Sequence, residues 1–272
     1  MTTIERYGVR ESTEARDEFD VLAEELRLLG YTTLSAGLSN SELDALTEEF
    51  EAAHAAYAKK AAADGFDLAA LGEQDTIRAL PTVASSFWSL VFNGRLHTLL
   101  SRALGDYFIL NQANGLNNRA NSSKYTQGAY HRDLPYQHFV SSRPIAINAL
   151  FALDDFTLEN GATRVIPASH HQEAYPSDET IRRLEKQVAV PRGTFIVLDC
   201  MIYHAGSVNR SARDRRAVNH VFTIPMLRQQ LHIPSLIASD DKFDDRQRRI
   251  LGYGLDEYRS TNAWFQSRAA KH

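Results

Sequence analysis

His131, Arg132 and Asp133 open the stretch of sequence that can do chemistry. Along an extended strand, side chains at i and i+2 point to the same face, so His131 and Asp133 can offer an imidazole nitrogen and a carboxylate oxygen to one ion. A third ligand from His204 completes a two-histidine, one-carboxylate face, the set that holds ferrous iron and leaves positions open for a cosubstrate and dioxygen. The tripeptide alone is a weak signal, because such spacings arise often by chance. Arg215 adds the weight. It precedes the β-prone run Arg216-Ala217-Val218-Asn219-His220-Val221-Phe222, whose alternate positions face inward, and a buried arginine needs an anion. A guanidinium fork matches a carboxylate, so a dicarboxylate that chelates the metal at a keto-acid end can have its far carboxylate held there. Arg216, one residue on, points to the opposite face.

The elements that must position these residues fall into two halves. In the first, Phe19, Leu22, Leu26 and Leu29 recur at helical spacing from Glu14 to Leu29, and Gly30 supplies a stop. Tyr31 to Leu34 is a short β-prone run, and Ser39 with Glu42 forms a capping box for a long helix carrying Leu43, Leu46, Phe50 and Tyr57. Phe87 to Leu104 repeats the helical pattern, weakened at Gly94. After Gly105 the texture changes to β-prone runs at Tyr107 to Gln112, Pro144 to Leu153, Arg164 to Pro167, Thr194 to Leu198 and Arg216 to Ile224. Asp244 to Ala269 reads as helical again, with Leu251, Tyr258 and Phe265 as anchors that pack back on the domain. Helices first and strands afterwards indicate an α+β chain, with a sandwich or jelly roll favoured over a parallel sheet.

The 272 residues, 43% hydrophobic, are enough for one large core, and no linker or repeat divides them, so 1–272 reads as a single domain. Residues 1–13 read as a flexible tail and 244–272 as a carboxy-terminal helix. Thirty Lys and Arg against 34 Asp and Glu give a net charge of −4, which offers no broad attraction to nucleic acid or an anionic membrane. No apolar stretch approaches the roughly 20 residues of a spanning helix. Cys200 is the only cysteine, so no intrachain disulfide forms and a reducing cytoplasm is the expected compartment.

From about Gly30 to about Ile224 the sequence resembles the phytanoyl-CoA dioxygenase-like iron(II)/2-oxoglutarate oxygenases. The resemblance rests on Gly30-Tyr31-Thr32-Thr33-Leu34 with Leu38 to Leu43, on His131-Arg132-Asp133, on Asn160-Gly161 through His170, on Pro191-Arg192-Gly193, on His204-Ala205-Gly206 and on Arg215, in the family's order. It implies a double-stranded β-helix, a cupin-like jelly roll, with N-terminal and flanking helices. It also implies Fe(II) on His131, Asp133 and His204, 2-oxoglutarate anchored by Arg215, and O2 as oxidant. Thr194 stands where the family often has an acidic residue. Gly206 stands where the family often has a hydroxyl residue, with Ser207 or Asn209 as candidates to substitute. Halogenating relatives replace the carboxylate ligand with a small residue, so the presence of Asp133 disfavours halogenation. Gln112 and Asn118 fall where relatives often place polar residues around 2-oxoglutarate.

Asn148 lies in a largely apolar run, and a buried amide there must find either a cosubstrate carboxylate or backbone partners. Tyr136 can line a substrate pocket; His138 and Tyr203 read better as a solvated histidine and a core tyrosine. His170 and His171 suit a turn or cap, and the arginines around Arg215 suit a solvated turn. The expected activity is hydroxylation of an unactivated C–H bond in a small molecule, with release of succinate and CO2. The rival is a non-redox jelly-roll protein that binds another metal or ligand. Oligomeric state is left open.

Overall fold

The structure, a computed structural model, describes residues 4–238 and 242–270. The expected tail over 1–13 and helix over 244–272 each extend onto residues outside that range; residues 4–16 form no helix or strand. Asp17 accepts from the Asp20 N–H and opens helix α1 (Glu18–Leu29), and Gly30 closes it at φ 81° with its N–H donating to the Leu26 carbonyl. The Ser39 capping box starts helix α2 (Asn40–Ala63), which buries Leu43, Leu46 and Phe50.

Two expected helices are broken. The Phe87 to Leu104 pattern splits into Trp88–Val91 and Gly94–Leu104, because the Asn93 side chain accepts from the Leu96 N–H and caps a new helix. The carboxy-terminal pattern gives Asp245–Ile250 and Thr261–Ala269, separated where Gly252 and Gly254 take left-handed backbone at φ 92° and 78°. Of its three expected anchors only Leu251 is buried; Tyr258 and Phe265 are exposed.

The strands are β1 (Tyr31–Ser35), β2 (Thr76–Ile77), β3 (Ile109–Asn118), β4 (Ala146–Ala152), β5 (Thr163–Val165), β6 (Lys186–Val188), β7 (Thr194–Asp199), β8 (His204–Ala205) and β9 (Arg215–Thr223). They form two antiparallel sheets, one ordered β1-β7-β4-β9-β3-β2 and one ordered β6-β5-β8. Mixed helices and antiparallel sheets are the α+β class expected. β3 runs beyond Gln112 to Asn118, because its Asn-rich second half pairs with β9, Asn118 opposite Arg215. Pairing overrides the turn preference of those asparagines.

Register decides what each face of the larger sheet presents. Tyr31, Leu198, Asn148, Val221 and Gln112 stand in one row across it, on the face shared by Ala217 and Arg215. Leu150, Ile196, Leu198 and Ala217 on that face pack against Val165 and Val188 of the smaller sheet. The opposite face, with Phe151, Val197, Val218 and Phe222, packs on Leu26, Phe50, Leu96 and Leu99 of the helices. Helices thus cover one side, and the other side is left for a cavity between sheets.

His220 lies on the helix-covered face, fully buried, with Nδ1 on the Ala149 carbonyl at 3.1 Å and Nε2 without a partner. Burial pushes its pKa down to about 4 from 6.5. Between those values the unfolded chain binds a proton that the folded chain refuses, so stability falls as pH drops from 6.5 towards 4. At about 1.36 kcal/mol per unit the whole effect is about 3 kcal/mol. Urea unfolding at pH 7 and pH 4.5 should record this fall, and His220→Phe should shrink it; an unchanged pH dependence in the variant would exclude His220 as the source.

Candidate active site

Two segments lie side by side to gather the candidate ligands. His131 and His204 form an isolated antiparallel bridge with N–H···O distances of 3.0 and 3.1 Å, and the Asp133 N–H donates to the Cys200 carbonyl at 3.0 Å. His131-Arg132-Asp133 is therefore a segment clamped to β8 at His131 and to the turn after β7 at Asp133, not part of a continuous strand. Its i, i+2 alternation still brings both side chains to one side. His204 Nε2 lies 3.6 Å and His131 Nε2 3.9 Å from the same oxygen, Asp133 Oδ1. Ligand atoms about 2.1 Å from one ion stand at most about 4.2 Å apart, so both separations suit a shared centre.

The chain also aims these atoms. Nδ1 of His131 faces the Ala129 carbonyl at 2.9 Å and Nδ1 of His204 faces the Ile202 carbonyl at 3.1 Å. A carbonyl only accepts, so each Nδ1 carries the proton and each Nε2 keeps its lone pair for an ion. Burial holds the His204 pKa below the usual imidazole range, which also keeps Nε2 unprotonated. Asn148 Nδ2 donates to Asp133 Oδ2 at 2.9 Å and leaves Oδ1 turned towards the histidines. Asn148 Nδ2 is thus taken by the candidate ligand carboxylate, while its Oδ1 has no hydrogen-bond partner. Asn148→Leu should lower metal affinity about 10- to 100-fold, measured with cobalt(II) against a chelating dye; unchanged affinity would show that Asp133 keeps its orientation unaided.

Arg215 enters the same cavity, which is walled by Tyr125, Leu150, Thr163 and Asn219. It is 3% exposed, its guanidinium carbon lies 4.1 Å from the centre of the Phe156 ring, and its Nε and Nη1 have no hydrogen-bond partner. Burial lowers its pKa, yet a guanidinium remains charged at any working pH. A buried cation with unused donors beside a cavity is a receptor for an anion.

A family model described as phytanoyl-CoA dioxygenase matches residues 26–217, which hold the triad, Arg215 and the cavity wall apart from Asn219. The chain belongs to the phytanoyl-CoA dioxygenase family. It is 28% identical over 203 residues to an uncharacterized protein of Mycobacterium tuberculosis, covering 70% of this chain and 74% of that one. It is 34% identical over 122 residues to the dioxygenase olcK of Penicillium canescens, covering 42% and 38%. EctD from S. alaskensis, solved with 2-oxoglutarate and 5-hydroxyectoine, superposes with a TM-score of 0.63 at 21% identity over 80% of this chain and 81% of its own. The epimerase SnoN, in complex with Fe3+, alpha ketoglutarate and nogalamycin RO, gives 0.59 at 17% identity over 84% and 92%. At such identities the two structures show a shared fold.

Other residues of this phytanoyl-CoA dioxygenase family member take different places from those expected. Gln112 stands on the cavity face but at a separate pocket with Asn114, Trp88 and Gln230, two strands from Asn148. Asn118 is buried beside Arg215, and its Nδ2 donates to the Ser207 carbonyl at 2.8 Å, which braces the turn after β8. Asn209 is buried within that turn on the Asn118 and Arg213 carbonyls, so it does not line the cavity, and neither does Ser207. Tyr136 is exposed, and His138 faces the Glu173 carbonyl at 3.3 Å; both lie outside the cavity wall. Tyr203 is core, as expected, and His170 and His171 hold the end of α1 through the Arg27 carbonyl. Arg216 is not solvated: it pairs with Asp154 and Glu51 on the opposite face from Arg215. Arg132, between the two ligands, is 2% exposed and donates to the carbonyls of Gln137, Phe139, Ser169 and Gln172.

Tyr125, Thr163 and Asn219 were missed as cavity residues. Asn219 was within reach, since it lies four residues from Arg215 and so on the same strand face. Tyr125 sits in an irregular segment, where no periodicity signals orientation.

Proposed function

We propose that the protein is a mononuclear non-haem iron(II) oxygenase that uses 2-oxoglutarate and dioxygen to hydroxylate an unactivated C–H bond of a small organic molecule. One observation carries this reading: a single cavity holds three convergent ligand atoms and a buried guanidinium with unused donors. His131 Nε2, Asp133 Oδ1 and His204 Nε2 would hold the ion, and the donor set suits ferrous iron. Bound iron supplies the redox chemistry that couples oxidative decarboxylation of 2-oxoglutarate, to succinate and carbon dioxide, to oxidation of the substrate. Arg215 would fix the far carboxylate of the cosubstrate and so direct its keto-acid end towards the triad. Asn148 keeps Asp133 turned to the ion, while Leu150, Leu198 and Ala217 wall out bulk water. No side-chain acid or base is obligatory.

The comparison structures named above carry 2-oxoglutarate, which supports the cosubstrate assignment. The two antiparallel sheets enclosing one core cluster support reading the fold as a double-stranded β-helix in a single domain. A cavity beside the triad with both apolar and polar side chains in its wall supports a small-molecule partner. The charge of −4 supports no nucleic-acid or membrane partner, no helix of the described residues is long and apolar enough to cross a membrane, and the lone buried Cys200 supports a cytoplasmic setting. Anaerobic addition of 2-oxoglutarate to the ferrous protein should raise a weak visible absorption band, and oxygen should then release succinate, slowly without the true substrate. No band and no succinate at confirmed metal loading would favour the non-redox binding protein.

A further inference from the structure

Two tyrosines stand next to the candidate metal ligands in the chain. Tyr130 precedes His131 and Tyr203 precedes His204, with Cα atoms about 3.8 Å apart in each pair. The two histidines bridge each other and face the cavity, so the residue before each turns to the outer side, and neither tyrosine is in the cavity wall. Both rings meet a third. The Tyr175 ring centre lies 6.2 Å from that of Tyr130 and 4.9 Å from that of Tyr203, and Tyr175 is 43% exposed. A chain of packed phenols thus runs from the ligand-bearing segments to the surface.

The two inner phenols are not equivalent. Loss of one electron turns a phenol into a strong acid, so the electron leaves readily only where a base can take the proton. The Tyr130 hydroxyl donates to the Glu185 carboxylate, which is such a base. Arg164 pairs with the same carboxylate at 3.3 Å; it also stands 5.0 Å from the Tyr130 ring centre, but Glu185 offsets its charge. The Tyr203 hydroxyl faces only the carbonyls of Gln137 and Glu173, at 3.0 and 3.3 Å, and the Arg132 guanidinium lies 4.1 Å from its ring centre. A carbonyl is a poor base, and a cation over a ring opposes removal of an electron from it. Tyr130 is therefore the phenol that gives up an electron first.

We propose that Tyr130 and Tyr175 form a relay that carries oxidising equivalents from the metal centre to the surface when no substrate is bound, and that Tyr175 is a self-modification site. This rests on the functional reading above, which supplies the oxidant: without substrate, consumption of one 2-oxoglutarate and one O2 leaves two oxidising equivalents unmet. Each draws one electron from Tyr130, whose phenolic proton passes to Glu185. Tyr175 returns the electron, and Tyr130 takes its proton back. After two passes Tyr175 has lost two electrons; water adds to its ring, two protons go to solvent, and the ring keeps one new hydroxyl. The two electrons, with two protons from solvent, carry the second oxygen atom of O2 to water. In sum, 2-oxoglutarate, O2 and Tyr175 give succinate, carbon dioxide and a hydroxylated Tyr175, and the metal ends ferrous.

The test incubates the iron(II)-loaded protein with 2-oxoglutarate and air, without substrate or added reductant, and reads peptide masses. Cleavage after Arg164 and Arg182 releases a peptide in which Tyr175 is the only tyrosine. It should gain the mass of one oxygen atom, and water carrying the heavy oxygen isotope should supply that atom. Tyr130→Phe should abolish the gain per succinate released, Glu185→Gln should lower it, and Tyr203→Phe should leave it unchanged. Thermal unfolding of each variant confirms that it is folded. Tyr175→Phe, outside the cavity wall, should release succinate at the wild-type initial rate and stop after fewer turnovers. Succinate release with no oxygen added to Tyr175 overturns the proposal, as does oxygen on the cavity tyrosine Tyr125 in its place, or a gain that survives Tyr130→Phe. No succinate at confirmed iron loading overturns the functional reading, and this proposal with it.

Discussion

Asp133→Ala should abolish turnover and lower metal affinity by more than about 100-fold, beyond the loss expected when only a supporting partner of a ligand is removed. Asp133 is the one anionic donor of the three. Its removal leaves two neutral imidazoles and takes Oδ1 from the point on which both Nε2 atoms converge at 3.6 and 3.9 Å. Asp133→Asn should fail too, because an amide lacks the charge and its NH2 must face either Asn148 Nδ2 or the ion. His204→Ala should be as severe as Asp133→Ala, given that His204 is fully enclosed, and His131→Ala should follow. Cobalt(II) titration and succinate release measure both effects. A variant at any of the three positions with wild-type affinity and turnover would remove that residue from the metal centre.

Substitutions at Arg215 should act on a different quantity. Arg215→Ala should weaken 2-oxoglutarate by about 2 to 5 kcal/mol, the range for truncating one partner of a buried, hydrogen-bonded charge pair. Arg215→Lys keeps the charge but loses the fork, so affinity should fall in the order arginine, lysine, alanine. Metal loading should hardly change, because the three ligands reach the ion without Arg215. Arg216→Ala serves as the control: Arg216 lies on the other face of β9, paired with Asp154 and Glu51, so its loss should reduce stability and spare cosubstrate affinity. If Arg216→Ala weakened 2-oxoglutarate as strongly, Arg215 would lose its special place; if neither mattered, the far carboxylate would be held elsewhere.

What the sequence made legible follows from the range of each signal. His131 and Asp133 were readable because strand alternation is local, and Arg215 and Arg216 were separated by the same rule, which the ladder between β3 and β9 obeys. His204 needed chain order from the family resemblance, since nothing local ties it to the tripeptide. Gln112 lines a different pocket from Asn148 because two strand spacings separate them, and lateral register is invisible in one strand's pattern. Apolar spacing runs on through Gly252 and Gly254, whose left-handed backbone ends the turn, so the pattern of one long helix is filled by two short ones. Tyr125 illustrates the hardest case: its place in the cavity wall depends on the lack of a side chain at position 206, a pairing between distant residues that no periodicity encodes.

Arg132 is the middle residue of the His131-Arg132-Asp133 segment, yet it reaches away from the cavity and holds four carbonyls on two separate loops. Together with the His131–His204 bridge it freezes the ligand-bearing segment by peptide and guanidinium contacts alone. Little conformational freedom is then left for an incoming ion to remove, so capture of the ion and folding of the chain are separate events. A protein built this way can be emptied and refilled without being remade. Stripping the metal with a chelator should therefore leave thermal unfolding cooperative, and adding the ion back should restore binding with no refolding step.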